Sequence, residues 1–589
     1  MRLISLLIGR IELAAEDGFT MIVAIATMVI VMSLSVAAFA AINGDLPLTA
    51  NDSLQKQAYA AAQAGVQSYL FALDQDSEYW TQCVPSPLPG AINLAGSTAN
   101  TGKVPGSSNE TYAIELLPAA GQAQYTQCSK TNPVSSMIQA AGNGAGTLRI
   151  RSTGFAGTVT RTLVASLREQ SFLDYAWFTN YETSDPIVQV ANAYLSSNPQ
   201  DNTIEPPDLC ALNPSIGCGS NYDAAIAGAA AQCGQYRYPP PAGSTSTVGY
   251  DRYAAAFYES YMCDQISFIT ADHINGPFHT NDQAQLCGTP TFGRTPADSV
   301  EFGYSPGYVQ GCSGNPIIGG SLIAPASILK PPPSNASLKS LATLTFTGTT
   351  CISLSPNSTS GVSVAQPNAT YPSCFSSGIP WTAYSYPSNG VLYVKNGACS
   401  LTYDVDNPSY TGNTGCGTVY VQGSDGPPLT IAAENDIVID GNLTYSGSSS
   451  LVGLIANNFV RVYHPVDRQP LQTNSAACST SSSNGPDPLS NGVTIDAMLL
   501  SLQHSFIVDQ YNCGNGNLGT LTVTGGIAQN FRGPVGTDSN GQVSTGYAKS
   551  YTYDDRLRYE EPPHFIDPVQ GSWSVQRQNE CTPNSSNPC

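Results

Sequence analysis

The stretch 19–42 constrains the fold most strongly, because its 24 residues include no charged side chain. As an α-helix rising about 1.5 Å per residue it would be roughly 36 Å long, which is enough to cross a bilayer. The chain after it is polar and rich in Gly, Ser, Thr and Asn. The sequence therefore predicts a leader over 1–18 and a transmembrane helix over 19–42, with the bulk of the protein on one side of the membrane.

Basic residues indicate which side of the membrane that is. Arg2 and Arg10 are the only basic residues before the span, and the first one after it is Lys56. Because basic residues are enriched on the cytoplasmic side, we expect a single-pass membrane protein with a cytoplasmic N-terminus and an extracytoplasmic bulk at the cell surface. Three acidic residues in the leader weaken this bias, and a plain signal anchor would show the same pattern.

Gly18 and Phe19 begin a short motif, Gly-Phe-Thr-Met-Ile, that resembles the class III signal of type IV pilins and pseudopilins. The resemblance implies that a prepilin peptidase cuts on the cytoplasmic side, between Gly18 and Phe19, and that Phe19 is N-methylated. It also implies that the apolar helix is retained, can leave the membrane and packs in the core of a filament. The implied partners are the peptidase, other pilin or pseudopilin subunits and the inner-membrane assembly machinery.

Val23 departs from the pattern of these pilins. The fifth residue of the mature chain is usually a glutamate, which is thought to pair with the amino terminus of a neighbouring subunit. Here that position is Val23. The resemblance therefore implies a minor or tip subunit rather than the repeating subunit of a filament.

Residues 43–75 are predicted to form a stalk helix after a break or kink at 43–47. Residues 55–66 resemble the corresponding stretch of PilX-type minor pilins, with Gln63 in place of the usual glutamate. An ordinary amphipathic helix packed on a sheet would fit the same pattern. In either case one helix face carries a stripe of apolar and small residues: Leu54, Ala58, Ala61, Ala62, Gly65, Val66, Tyr69 and Leu70.

Residues 76–170 are predicted to form a small β head. The segment 112–117 alternates moderately, and the segments 147–154 and 158–168 predict a hairpin. Gly-, Pro- and Ser-rich loops surround these strands. A helix packed on a small antiparallel sheet is also what the pilin resemblance implies for this part of the chain.

Residues 171–589 are predicted to form a large, mainly β region with loop insertions at 197–260 and 330–430. Short strands with bends are how a β-solenoid buries its rungs, although an antiparallel β-sandwich could produce a similar sequence. We therefore expect an α+β protein with a β-solenoid, and the sandwich remains the alternative. Four segments share an apolar–x–Gly–x pattern that predicts a short strand with a glycine bend: 274–280, 317–323, 439–445 and 523–529.

The C-terminal part, 533–573, resembles the ending of large uncharacterised bacterial surface proteins that have a pilin-like N-terminus, which implies no known activity. Asp554, Asp555, Arg556 and Arg558 lie among tyrosines there. We expect ion pairs and ring stacking to hold this tail. A solvated charged turn is the alternative.

Sixteen cysteines follow the apolar stretch, and none forms a Cys-x-x-Cys motif, which argues against a zinc ribbon. An even number of dispersed cysteines on one side of a membrane predicts disulfides in an oxidising compartment, with buried free thiols as the alternative. Cys83 and Cys128 could join two loops of the head. The net charge of −20, with only 22 basic residues, argues against a nucleic-acid partner.

Two enzyme motifs occur, and neither has the context that its chemistry needs. Gly-x-Ser-x-Gly at 303–307 has Pro306 after the serine, and proline has no N–H for an oxyanion hole. Gly-x-Gly-x-x-Gly at 514–519 precedes a predicted strand rather than a helix.

His273, His279 and Asp282 form the cluster whose side chains best match metal ligands. We interpret them as hydrogen-bonded turn residues rather than as ligands, and we expect neither a metal nor another cofactor. The sequence thus favours a non-enzymatic minor pilin or pseudopilin that displays a β domain. One alternative is a surface adhesin that has a plain membrane anchor and binds glycans. A second is a membrane-tethered polysaccharide hydrolase or lyase. Such an enzyme needs catalytic carboxylates, and the spacing of Asp and Glu along the sequence does not identify them.

Overall fold

The computed structural model describes most, but not all, of the chain. The leader 1–18, the predicted insertion 197–260 and both Cys83 and Cys128 lie outside the described residues. The described ranges are 19–76, 79–82, 92–93, 100–107, 109–117, 138, 146–185, 188, 266–399, 410, 414–468, 478–479, 487–513, 517–539, 542–569 and 571–581.

The first element is a long helix, α1 (Phe19–Gln75). It continues through 43–47, so the predicted break is wrong. A proline removes one backbone hydrogen bond, and a helix this long continues through that loss. The predicted stripe on its C-terminal half is confirmed, because Gln63 is exposed while these residues are buried: Ala58, Ala61, Ala62, Gly65, Val66, Tyr69 and Leu70.

The remainder is β-rich with few further helices. The strands up to the start of the distal region are β1 (Ile92–Asn93), β2 (Asn100–Lys103), β3 (Thr111–Leu117), β4 (Thr147–Ala156), β5 (Val159–Glu169) and β6 (Trp177–Ser184). The next are β7 (His273–Asn275), β8 (Phe278–Thr280), β9 (Ala284–Leu286), β10 (Thr291–Phe292), β11 (Ser299–Phe302), β12 (Tyr308–Gln310), β13 (Ile317–Ile318) and β14 (Ser321–Ile323). A short helix, α2 (Ala336–Lys339), follows.

Further along the chain lie β15 (Leu344–Thr347), β16 (Thr350–Leu354), β17 (Val362–Ala365), β18 (Thr382–Tyr384), β19 (Val391–Lys395), β20 (Val419–Asp425), β21 (Leu429–Ala433), β22 (Ile437–Tyr445), β23 (Val452–Ala456) and β24 (Val460–Val462). The last are β25 (Asp467–Arg468), β26 (Cys478–Ser479), β27 (Val493–Ser501), β28 (Phe506–Val508), β29 (Thr520–Arg532), β30 (Gly536–Ser539), β31 (Gln542–Gly546), β32 (Ala548–Tyr553) and β33 (Trp573–Cys581).

The head is an antiparallel sheet in the order β1-β2-β3-β4-β5-β33. The predicted hairpin is confirmed as β4 and β5, which pair along their whole length. The sequence assigned 573–581 to the distal region, but these residues pair with β5 and so lie in the head sheet. The cause is burial, because Trp573 is only 6% exposed and packs into the head core with Tyr69 and Trp80.

The described part of the distal region contains three long ladders of parallel strands, besides the short parallel pair β9–β12. Ladder A has the order β15-β19-β21-β23-β27-β29-β6-β8-β11-β14. Ladder B has the order β16-β20-β22-β24-β28. Ladder C begins with the C-terminal ends of β20 and β22. It continues through the first halves of β27 and β29 and then through β32, β7, β10 and β13. Parallel pairing of this kind is not that of an antiparallel sandwich.

The predicted glycine bends lie at corners between these ladders. In β29, Gly525 has φ +142° where the strand turns from ladder C into ladder A, and a Cβ there would overlap the Ala497 carbonyl oxygen. The bend at 276–277 separates β7 from β8 in the same way. The segment 439–445 bends between ladders B and C.

The predicted insertion 330–430 is largely wrong, because β15, β16, β19 and β20 all belong to the ladders. The range 330–430 is rich in Ser, Thr and Pro, which is typical of loops, although the inward-facing residues of its strands are apolar. Among the described residues of this range, the antiparallel strands β17 and β18 and the short helix α2 lie outside the parallel ladders.

Disulfides support the distal region, as the sequence predicts. Cys287–Cys312, Cys351–Cys374 and Cys399–Cys416 are bonded, and Cys513 is also in a disulfide. Cys581, at the end of β33 in the head sheet, is disulfide-bonded as well.

The C-terminal tail is held by ion pairs and stacking, which confirms that prediction. Arg556 lies 2.6 Å from Asp554, and its guanidinium lies 4.7 Å from the centre of the Tyr445 ring. Arg558 lies 2.8 Å from Asp298.

Candidate functional site

Among the described side chains of α1, those from Met21 to Val36 form an exposed, mainly apolar surface. Its large apolar side chains have exposures between 46% at Val23 and 72% at Met32. Apolar surface in water costs roughly 25 cal/mol per Å², so a patch of this kind marks a contact surface. The other members are Met21, Ile25, Met28, Val29, Ile30, Val31, Leu34 and Val36.

Phe19 is the first residue of α1, and Gly18 lies outside the described residues. Cleavage between them therefore stays a prediction. Within the described part of the chain, no helix is long and apolar enough to qualify as a membrane span.

The C-terminal half of α1 lies unusually close to the head sheet. A Cβ on Gly154 of β4 would overlap the Ala58 carbonyl oxygen and the Ala62 nitrogen. Ser152 Oγ donates a hydrogen bond to the Ala62 carbonyl oxygen at 2.8 Å, and a Cβ on Gly65 would overlap that hydroxyl. Small residues on both elements therefore fix how the helix sits on the sheet.

His279 occupies a closed hydrogen-bonded position. It is fully buried on β8, with Nδ1 2.8 Å from Glu301 Oε2 and Nε2 3.0 Å from Asn281 Oδ1. Tyr175 donates to the same Glu301 oxygen at 2.8 Å. Burial opposes ionisation of Glu301, but hydrogen bonds from His279, Ser299 and Tyr175 outweigh it and lower the pKa of this carboxyl group. Both nitrogens of His279 therefore contact protein oxygens.

His273 and Asp282 do not join His279 in a common site. His273 is exposed on β7, whereas Asp282 is buried and accepts hydrogen bonds from the backbone N–H groups of Glu182 and Gln283. Among the residues that the structure describes, no group of three or more His, Cys, Asp or Glu side chains could hold a metal ion.

The two enzyme motifs lie in turns, as far as the structure describes them. Ser305 precedes a cis peptide bond to Pro306, and β12 rather than a helix follows. In the second motif, 514–516 lie outside the described residues, and Gly519 has φ +95° immediately before β29.

A cavity of about 200 Å³ lies at the seam, which we define as the place where β29 and β32 meet β6 and β7. Two cationic side chains and three aromatic side chains line it, and none of the described carboxylates does. Nothing in the sequence pointed to this cavity, because its lining comes from segments more than 350 residues apart. The one local feature of the sequence is Arg532, which directly follows the apolar residue Phe531 at the end of β29. The five side chains are Trp177, Tyr511, Arg532, Lys549 and Tyr551.

Arg532 is 2% exposed and held on several sides. Its Nη1 lies 3.3 Å from Glu182 Oε2 and donates to the Ile266 carbonyl oxygen at 2.6 Å. Its guanidinium lies 3.9 Å from the centre of the Phe268 ring and 5.3 Å from that of Trp177. Burial raises the pKa of Glu182, although the charge of Arg532 opposes the shift.

A second buried charged cluster lies on ladder B. Arg461 Nε lies 3.7 Å from Asp436 Oδ2 and 3.7 Å from Asp509 Oδ1, and these three side chains are at most 4% exposed. Tyr410 donates to Asp509 Oδ2 at 2.8 Å. Burial raises the pKa of Asp436. The two carboxylates converge on one cation, but they do so away from solvent.

Asp440, at a corner of β22, provides a test of pH dependence. Burial raises its pKa to about 7, whereas an aspartate in an unfolded chain titrates near 3.9. Between about pH 4 and 7 the folded chain holds this proton and the unfolded chain does not, so stability falls as pH rises through that window.

The unfolding free energy of the wild type should fall between pH 4 and 8. In Asp440→Asn we expect this fall to be smaller by roughly 2–4 kcal/mol. Urea unfolding at both pH values would measure it. Ser449→Ala, at an exposed position without a titratable side chain, is the control and should leave the pH dependence unchanged. Equal pH dependence in wild type and Asp440→Asn would contradict the prediction.

Comparison with known proteins adds little to this geometry. No family model matches the chain, and no curated protein matches it. Among solved structures, the competence-associated pilin ComZ from Thermus thermophilus is similar at 12% identity, over 90% of this chain and 98% of that chain, with a TM-score of 0.25. Because the TM-score is low, this similarity does not by itself establish a shared fold.

Proposed function

We propose that this chain is a non-enzymatic minor pilin or pseudopilin that contributes to a type IV pilus-like or secretion filament and displays a large β domain. The division of α1 into two halves carries the proposal. The described side chains from Met21 to Val36 expose an apolar surface, and the C-terminal part of the helix packs on an antiparallel sheet through a stripe of small residues. A helix divided in this way can join a shared apolar core while its head stays outside.

Processing follows from the same helix in this proposal. A prepilin peptidase cuts after Gly18, Phe19 becomes the N-methylated first residue, and 19–42 spans the membrane before assembly. The N-terminus is then cytoplasmic and the β domain extracytoplasmic. Val23 leaves the mature chain without the usual glutamate at its fifth position, which suits a minor subunit with other pilins and the assembly machinery as partners.

The three ladders support a β-solenoid as the fold of the displayed domain. Consecutive strands alternate between ladders, and corners such as Gly525 turn the chain from one ladder to the next. Disulfides such as Cys287–Cys312 suit an oxidising exterior.

A structural role without catalysis fits the charged clusters of the described residues. The carboxylates around Arg461 are buried, so a polysaccharide could not reach them. The net charge of −20 also argues against a nucleic-acid partner.

The decisive experiment is mass spectrometry of the mature N-terminus after co-expression with a prepilin peptidase. We expect a chain that begins at N-methylated Phe19 and expect Gly18→Val to abolish cleavage, because the added side chain blocks the scissile position. Ser35→Ala, inside the helix, is the control and should be cleaved normally. A chain that retains its leader would overturn the proposal and favour the adhesin with a plain membrane anchor.

A further inference from the structure

We propose that two copies of this chain associate through the open end of the distal region, which we define as β13, β14 and the residue Ile328 that follows them. In this contact, β14 pairs with β14 of the second copy in the antiparallel direction, around Leu322. The proposal does not depend on filament assembly. It rests on the free edges of β13 and β14, on exposed apolar side chains and on the lack of charge at this end.

β13 and β14 are the last strands of ladders C and A. β13 pairs with β10 and β14 pairs with β11, and no described strand pairs with either of them on the other side. The peptide groups along these two edges are therefore available to a further strand, and an edge of this kind readily pairs with another chain. The disulfide Cys287–Cys312 joins the segments that precede β10 and β13, so this end is also linked covalently.

Leu322 continues a line of core residues and leaves it uncovered. It is in register with Val300 of β11, which is in register with Phe278 of β8, and both of these residues are fully buried. Paired residues of in-register parallel strands point to the same face of a sheet. Leu322 therefore lies on the core face, yet it is 53% exposed because no described strand follows β14.

Further apolar side chains are exposed on the same strands and next to them. Ile317, Ile323 and Ile328 have exposures between 40% and 57%, and Val309 on β12 is 46% exposed. Together with Leu322 they are half of the exposed large apolar side chains that are described outside the N-terminal part of α1. Exposure concentrated at one place in this way marks an interaction surface.

The opposite end of the ladders carries a cover. There β17 and β18 extend ladder B beyond β16, and the Tyr384 ring of β18 lies 5.5 Å from the Phe346 ring of β15. Proteins built from stacked repeats need a cover with a polar outer face at their ends. The end formed by β13 and β14 has none among the described residues, so burial of Leu322 calls for another molecule.

The charge distribution favours a second copy as that molecule. The chain carries a net charge of −20, so most contacts between two copies would bring like charges together. The stretch 302–329, which contains β12, β13 and β14, has no charged side chain. Two copies can therefore meet at this end without the repulsion that opposes contact elsewhere.

Antiparallel pairing around Leu322 suits two identical ends. β14 has three residues with Leu322 at its centre, so a twofold axis there places Leu322 opposite its counterpart and Ser321 opposite Ile323. The two leucines then cover each other, and the line of core residues continues from one copy into the other. A contact that uses the same surface on both copies closes after two molecules and forms no longer chain.

Sedimentation velocity of the full chain in detergent micelles tests the proposal, because the detergent covers the apolar part of α1. Only two short strands and their neighbours contribute on each side, so we expect a reversible dimer with a dissociation constant of roughly 1–100 μM. Leu322→Glu should abolish the dimer, since two carboxylates would face each other across a spacing of about 5 Å between Cβ atoms. Leu322→Lys should abolish it for the same reason.

A mixture of Leu322→Glu and Leu322→Lys gives the sharpest result. We expect a mixed dimer although neither variant dimerises alone, because position 322 then pairs opposite charges across the twofold axis. Phe71→Glu is the matched control, since Phe71 is 66% exposed on α1 in the head and this variant should dimerise like wild type. A wild-type chain that stays monomeric up to about 200 μM would overturn the proposal. So would a dimer that Leu322→Glu leaves intact, or a mixture that stays monomeric.

Photo-cross-linking identifies what covers the open end. A photoreactive amino acid in place of Ser321, in a mixture of unlabelled and isotope-labelled chains, should join position 321 to 321–323 of the other copy. Cross-links confined to one chain would show that another part of the same chain covers Leu322, and they would overturn the proposal.

Discussion

Replacement of Gly154 by valine is expected to separate α1 from the head sheet and to lower the free energy of unfolding by about 3 kcal/mol or more. The backbone of α1 lies directly over this residue, so a Cβ would overlap the Ala58 carbonyl oxygen and the Ala62 nitrogen. The obstacles are backbone atoms, which no rotamer change can move. Urea unfolding would give the loss of stability, and amide hydrogen exchange over 55–70 would show whether the helix is released.

Gly447→Val is the matched control for this substitution. Gly447 is an exposed glycine between β22 and β23, and a Cβ there would meet no atom within 4 Å. We expect a change within about 0.5 kcal/mol, as is usual for surface positions. Similar losses in both variants would mean that valine acts through the unfolded chain rather than through the contact between α1 and β4.

Local patterns predicted the elements whose partners are near in sequence. The stripe from Ala58 to Leu70 repeats with helical spacing, so its buried face could be identified before any sheet was known. The β4–β5 hairpin needs only a short turn, and alternation along both strands predicts it.

Long-range pairing was beyond the reach of those patterns. In ladder A, β14 lies at one end and β15, the next strand in the chain, at the other, while β29 pairs with β6 across some 350 residues. The central strands of ladder A, such as β21 and β23, are buried at every residue. Their apolar sequences do not specify which strands lie beside them, so the order of the ladder could not be deduced from composition or spacing.

The cavity at the seam shows the same limitation for a candidate site. Trp177 lies on β6, but Arg532 and Lys549 come from the other end of the chain. Their proximity depends on the β29–β6 pairing, which only the structure supplies. The histidine cluster illustrates the converse, because residues close in sequence, such as His273 and His279, differ in burial and do not meet in one site.

Replacement of Trp573 by alanine is expected to destabilise the head rather than the distal ladders. Trp573 is 6% exposed, packs with Tyr69 and Leu73, and its backbone N–H donates to Asp74 Oδ1 at 3.1 Å. Removal of a buried tryptophan side chain typically costs about 3–5 kcal/mol, because apolar contacts are lost and a cavity remains. Calorimetry would give the change in stability, and hydrogen exchange would locate it.

Trp381→Ala provides the comparison, because Trp381 is 44% exposed next to β18 and should cost under about 1 kcal/mol. If β33 completes the head sheet, amide exchange in Trp573→Ala should accelerate first in β5, its direct partner, and in β4 beyond it. Ladder A should keep its wild-type exchange, since its strands obtain their hydrogen bonds from one another. Acceleration confined to the ladders would contradict this prediction. It would instead place β33 with the distal region, as the sequence alone suggested.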